Sequence, residues 1–170
     1  MAITIFKAFL QELEGHDIPC FCIAGNHDKD NCAAALGAIN IPETGIWWEG
    51  IFICGIPSTT TKNLKESLDK INNLDKPVDL LVLHTAFKHL LDFNAYQLTK
   101  AEMREYTNIK NVLVGHVHTQ NLHTDDMGWI LSPGSAQNYD ISESYTHGMW
   151  EWTGEGPPVF LPLPQRLIDR

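Results

Sequence analysis

The chain has 170 residues, 44% of them hydrophobic and 19% charged, with 12 Lys and Arg against 21 Asp and Glu for a formal net charge of −9. That size suits one domain with a core of its own, no apolar run is long enough to cross a bilayer, and the acidic balance excludes a protein that coats nucleic acid by bulk electrostatics. It does not exclude an enzyme that holds a polyanion through bound cations, and the absence of a basic leader with a cleavage site makes the cytoplasm the expected compartment.

Ile5, Phe6, Phe9, Leu10 and Leu13 share one face of a helical wheel that Gly15 ends, which predicts an amphipathic helix over Ile3 to Glu14. The apolar run Cys20 to Ala24 reads as a buried strand feeding Gly25-Asn26-His27-Asp28. With nothing ahead of the helix to pair with that strand, the chain reads as an α/β unit that starts in mid-fold and leaves an apolar edge. A short helix is expected over Asp30 to Leu36, a strand over Ile51 to Ile56, and a helix over Lys62 to Leu74 with Leu64, Leu68 and Ile71 inward. Val78 to Leu83 is nearly all apolar, the pattern of a parallel strand covered on both faces, and it ends on His84. Thr99 with Glu102 three residues on is a capping box for a helix to about Tyr106, after which the strand Asn111 to Val114 delivers Gly115-His116-Val117-His118. Beyond it, the short runs Trp129 to Leu131, Gly148 to Thr153 and Val159 to Leu163, cut by turn signals such as Ser132-Pro133-Gly134-Ser135, predict a small antiparallel sheet. Cys20, Cys22, Cys32 and Cys54 read as packing thiols, since Cys-x-Cys has no second pair at zinc-site spacing.

The histidines cluster by position, each just past an apolar strand, where sites of open α/β sheets lie. Neutral imidazole is the commonest transition-metal ligand, and an Asn carbonyl adds a hard uncharged oxygen, so Asn26, His84 and His116 make one metal corner. His116 and His118, two apart on a turn, can reach two neighbouring ions. Asp28 either orients the His27 ring or caps the following helix. Lys62, Lys65, Lys88, Lys100 and Arg104 form either a local basic rim or a solvated helix face. No Asp-x-His and no Gly-Asp dipeptide occurs in the chain.

In order and context, Gly25-Asn26-His27-Asp28, the strand-end His84 and Gly115-His116-Val117-His118 resemble the last three signature motifs of the calcineurin-like metallophosphoesterases. The tail from Ser132-Pro133-Gly134-Ser135 to Leu161-Pro162-Leu163-Pro164-Gln165-Arg166 is most similar to the SbcD-type DNA exonucleases of that superfamily. The resemblance implies a single α/β domain over residues 1–170, a metallophosphoesterase-like αββα sandwich incomplete on its N-terminal side, with an antiparallel C-terminal sheet. It further implies that Asn26, His84 and His116 bind the second of two ions, that His118 helps to bind the first, and that His27 contacts the phosphate and assists the leaving group. The implied cofactor is a divalent ion, manganese ahead of magnesium, iron or zinc, and the implied substrate is DNA or another phosphodiester.

The family's opening Asp-x-His and Gly-Asp-x-x-Asp motifs, which supply the carboxylate bridging both ions, have no counterpart here, and Asp17, Asp30, Asp125, Asp126 and His123 do not take those roles by spacing. Three functions follow as expectations: the C-terminal portion of a two-metal nuclease, weakly active or inactive alone; a one-metal phosphatase or phosphodiesterase; or a non-catalytic interaction protein that keeps the fold. The first implies a homodimer, a chain that supplies the missing motifs, or an SbcC-type ATPase as partner, and no membrane. The helix Ile3 to Glu14 and the Trp47-Trp48 pair are then either contact surfaces or part of the core.

Overall fold

A computed structural model describes residues 2–28, 32–87, 98–136 and 146–164. In chain order the elements are α1 (Ala2–Gly15), β1 (Phe21–Cys22), α2 (Cys32–Ala35), β2 (Ile39–Asn40), β3 (Ile46–Trp48), β4 (Ile51–Ile56), α3 (Thr61–Asn72), β5 (Val78–His84), α4 (Lys100–Arg104), β6 (Ile109–Gly115), β7 (Asn121–Asp125), β8 (Gly128–Ser132), β9 (Gly148–Glu151) and β10 (Val159–Pro162). The fold is mixed α/β, with a central six-stranded sheet in the order β3-β4-β5-β6-β8-β7. Strands β4, β5, β6 and β8 run parallel, and β3 and β7 pair antiparallel at the two edges.

The core lies on one face of this sheet. Phe52, Cys54 and Ile56 of β4, Leu81 and Leu83 of β5, and Val112 and Val114 of β6 alternate along their strands toward Leu64, Leu68 and Ile71 of α3 and Met103 of α4. Each such side chain contributes about 1.5–3 kcal/mol on leaving water. The helices start where the sequence marks them: the Thr60 hydroxyl accepts the Asn63 amide at 3.3 Å, and Thr99 and Glu102 form the reciprocal capping box. Burial pushes the Cys54 thiol up to about 11, so it packs rather than reacts.

Charged pairs tie the N-terminal ends of the strands. Asp79 accepts the Phe52 amide at 3.0 Å and Lys110 Nζ at 2.6 Å. Partial burial pushes its carboxyl upward, but those two donors outweigh burial and hold it below the usual carboxylate range. Arg104 donates to Asp125 at 2.8 Å and to the Lys110 carbonyl at 3.1 Å. Arg104 thus lies at the start of β6, opposite the histidine loop at its end, while Lys65 and Lys62 face Glu102 and Glu66. None of these side chains, nor Lys100, lines the cavity that holds the histidines; Lys88 lies outside the described residues.

The structure corrects several expectations. Trp129 to Leu131 belongs to β8, which inserts into the main sheet beside β6, so only β9 and β10 form the separate antiparallel pair. The strand expected over Cys20 to Ala24 shortens to Phe21–Cys22, paired in parallel with β2 as a two-stranded sheet of its own. That small sheet reaches the second face of the main sheet at Gly55, where an added Cβ would overlap the Ile41 carbonyl oxygen and sit 2.8 Å from Ile23 Cγ2. Along α1, Phe6, Leu10 and Leu13 are half-buried, but Ile3, Ile5 and Phe9 are 61%, 65% and 51% exposed. Trp47 is 60% exposed on the edge strand β3, so neither it nor α1 joins the core.

Candidate metal centre

Parallel β5 and β6 pair residue for residue up to His84 opposite Gly115, so their C-terminal ends finish level and His116 follows at once. The end of β1 is carried over the same edge, held by the Ser58 amide donating to the Ala24 carbonyl at 2.9 Å. Asn26, His27, His84, His116 and His118 therefore line one cavity of about 250 Å³. The larger cavity beside α1, about 670 Å³, is lined by residues such as Leu10, Ile18 and Ile39 and contains no histidine.

Inside the smaller cavity, Asn26 Oδ1 lies 2.8 Å from His84 Nε2 and 3.4 Å from His116 Nδ1. The two rings stand edge to face with centroids 5.2 Å apart. An amide oxygen has no proton to give, so Asn26 Oδ1 accepts and the ring nitrogens facing it donate; an ion held here would take the place of those protons between the same three atoms. His84 is held below the usual histidine range, first by burial and then by His116, with His27 adding to the effect and Asp28 opposing it. A ring kept neutral presents the lone pair a metal ion requires.

Two backbone features set this geometry. A Cβ at Gly115 would stand 2.8 Å from His84 Nδ1, and one at Gly25 would stand 3.0 Å from His84 Cε1, so the imidazole fits between the two loops because neither position has a side chain. His116 has φ +95°, a conformation that side-chain-bearing residues rarely adopt and that persists only where the surroundings hold it. Asp28 is spent locally, its carboxylate accepting the Gly25 amide at 2.8 Å and closing the loop on itself.

Asn26, His84 and His116 are the side chains that could hold a divalent ion here; among the described residues no three His, Cys, Asp or Glu side chains group as metal ligands. His123, on β7, lies 3.5 Å from Asp125, outside the cavity.

A profile of the calcineurin-like phosphoesterases matches residues 3–120, more than half of the chain. The chain belongs to the calcineurin-like phosphoesterase family. The DNA double-strand break repair protein Mre11 of Archaeoglobus fulgidus is 27% identical over 160 residues, covering 75% of this chain and 35% of that protein. The chain thus spans about a third of that relative's length. Among solved structures, TT1561 of Thermus thermophilus superposes with a TM-score of 0.56 at 19% identity, over 78% of this chain and 70% of that one. A second superposes at 0.55 with 15% identity, over 78% and 63%. These likenesses show a shared fold.

The sequence gives little sign of the support behind the histidine loop. Ser132, fully buried, places its hydroxyl between backbone carbonyls of the His116–His118 loop, and buried His147 contacts the Ser135 carbonyl through Nδ1 at 2.9 Å. A serine directly after an apolar strand was the available signal for the first; an isolated histidine gave none for the second. No helix among the described residues is long and apolar enough to cross a membrane.

Proposed function

We propose that this chain carries a phosphoester-hydrolysing centre built on one divalent ion, manganese first, held by Asn26, His84 and His116. The observation that carries the reading is the convergence of the Asn26 oxygen on both imidazoles at 2.8 and 3.4 Å within one open cavity. A divalent ion bound there would supply Lewis-acid polarisation of a phosphoryl oxygen and a water acidified toward neutrality. The residues do the rest. Gly25 and Gly115 fix the His84 ring, burial keeps it neutral, and His27 and His118, both exposed on the same cavity, are available to contact the phosphate and to pass a proton to the departing oxygen.

The substrate class we assign is a phosphodiester, with DNA first. Similarity to an Mre11 protein supports it. Manganese titration of the pure protein, with turnover of bis(4-nitrophenyl) phosphate, tests the reading. Roughly one ion per chain is expected, lost in His84→Ala and in His116→Ala, with slow turnover. Absence of manganese binding would sink it.

The missing second ligand set supports a companion proposal, that the centre is completed by carboxylates from another segment or chain, in a homodimer or with an SbcC-type ATPase alongside. The exposed Ile3, Ile5 and Phe9 of α1 favour association. Light scattering that finds a monomer at every concentration up to the high micromolar range would count against self-association.

A further inference from the structure

We infer that Ser132 is a positioning residue for His116 and His118, a role that rests on reading the histidine cavity as the phosphoester site. Strand β8 pairs with β6 through Val112 opposite Ile130 and Leu113 opposite Leu131, so the end of β8 arrives beside the loop that leaves β6. There the Ser132 side chain is fully buried, and its Oγ lies 3.3 Å from the Val117 carbonyl and 3.1 Å from the Thr119 carbonyl. The Ser135 amide donates to the carbonyl between them, that of His118, at 2.9 Å. The segment 132–135 thus meets three successive carbonyls of the loop, and the two backbones are in direct contact: a Cβ on Gly134 would stand 2.8 Å from the His118 oxygen.

This arrangement answers the question raised by His116. A residue at φ +95° returns to a relaxed conformation unless its neighbours prevent it, and a hydroxyl donor gripping the chain on both sides of His118 is such a restraint. The clamp is itself anchored from behind. Trp150 Nε1 donates to the Pro133 carbonyl at 3.2 Å, and His147 Nδ1 meets the Ser135 carbonyl at 2.9 Å, so the β9–β10 hairpin buttresses the segment that holds the histidine loop. Gln120 donates to the Thr146 carbonyl at 3.1 Å and ties the far end of the loop to the same hairpin.

Ser132→Ala removes one oxygen and with it the single O–H that the Val117 and Thr119 carbonyls share. In metal-free protein, amide exchange at residues 115–120 should quicken by about tenfold while residues 52–56 and 81–84 stay at wild-type rates. Manganese affinity, read by the free-ion electron paramagnetic resonance signal, should weaken by about tenfold. Trp150→Phe, which removes the donor to Pro133 and part of the ring packed on Phe160, gives a second variant should the first not fold, and should quicken exchange in the same residues by a few-fold. Unchanged exchange and affinity in a folded variant would overturn the assignment, and so would exchange that rises equally throughout the sheet, the mark of general loosening. If wild-type protein takes up no manganese, the phosphoester reading fails, and the exchange experiment in metal-free protein still judges the role of Ser132.

Discussion

His84 and His116 leave strands in the middle of a six-stranded sheet, whereas Asn26 and His27 leave a strand of two residues paired with another strand of two. Behind β5 and β6 lies the apolar cluster they share with β4, α3 and α4, and Leu68, Leu81, Leu83, Val112 and Val114 are all fully buried. Behind β1 stands α1, which turns Ile3, Ile5 and Phe9 to solvent. Half of the centre is therefore mounted on the molecule's most cooperative unit, and the other half on one with little apolar burial to oppose local opening. An ion shared between the two arms would hold down the looser one, and binding would then be coupled to local order.

The largest effect should come from cutting into the firm arm. Leu68→Ala is expected to cost about 2–5 kcal/mol in urea unfolding, while Phe9→Ala, a truncation on the exposed helix, should stay within about 0.5 kcal/mol. Equal losses would break the contrast. Next, amides of residues 21–24 should exchange about a hundredfold faster than those of 81–84 in metal-free protein, and manganese should narrow that gap. Exchange at one rate in both arms would mean that β1 is as well supported as β5.

Gly115→Ala sharpens the comparison from the other side. Its new methyl meets His84 Nδ1 at 2.8 Å on a strand that cannot retreat, so ion affinity should fall by the equivalent of about 1–3 kcal/mol. Gly25→Ala, at 3.0 Å from the same ring but on the looser arm, should cost less. Manganese titrations of both variants decide the order. The smallest effect concerns acid. Because the folded Asp79 carboxyl titrates lower than in the unfolded chain, its contribution is present above the unfolded value of about 3.9 and vanishes as pH drops through the folded value. Asp79→Asn should remove that part of the acid sensitivity, worth no more than about 1 kcal/mol with Lys110 half exposed, as read from melting temperatures between neutral pH and about pH 3.

The firm arm was the legible one. Ile51 to Ile56 announces a strand and Val78 to Leu83 a buried parallel one by nearly continuous apolar composition, Lys62 to Leu74 announces its inner face by period, and Thr99 with Glu102 announces a helix start. Each signal is local and survives folding because local and global preferences agree. The wheel of α1 was equally clear, yet periodicity tells which residues share a face and says nothing of what covers that face; Ile5 and Phe9 lie uncovered. The place of β8 beside β6 was hidden because pairing order is a non-local choice, and β7 was hidden because Asn121, His123 and Asp125 give an edge strand the look of a loop. At the site, sequence order suggested which side chains to suspect. Left-handed His116, the crowding around His84 and the Ser132 hydroxyl are properties of three segments meeting, which no one segment displays.

Gly55 gives the two arms their spacing. Since Ile41 and Ile23 rest directly on its bare Cα, the separation between the small sheet and the large one is set by the radius of a backbone rather than of a side chain. The gap across which Asn26 faces His84 is thus gauged on β4, outside the histidine loops altogether. A methyl group there would act as a shim, lifting one jaw of the centre from the other without altering any residue that lines it.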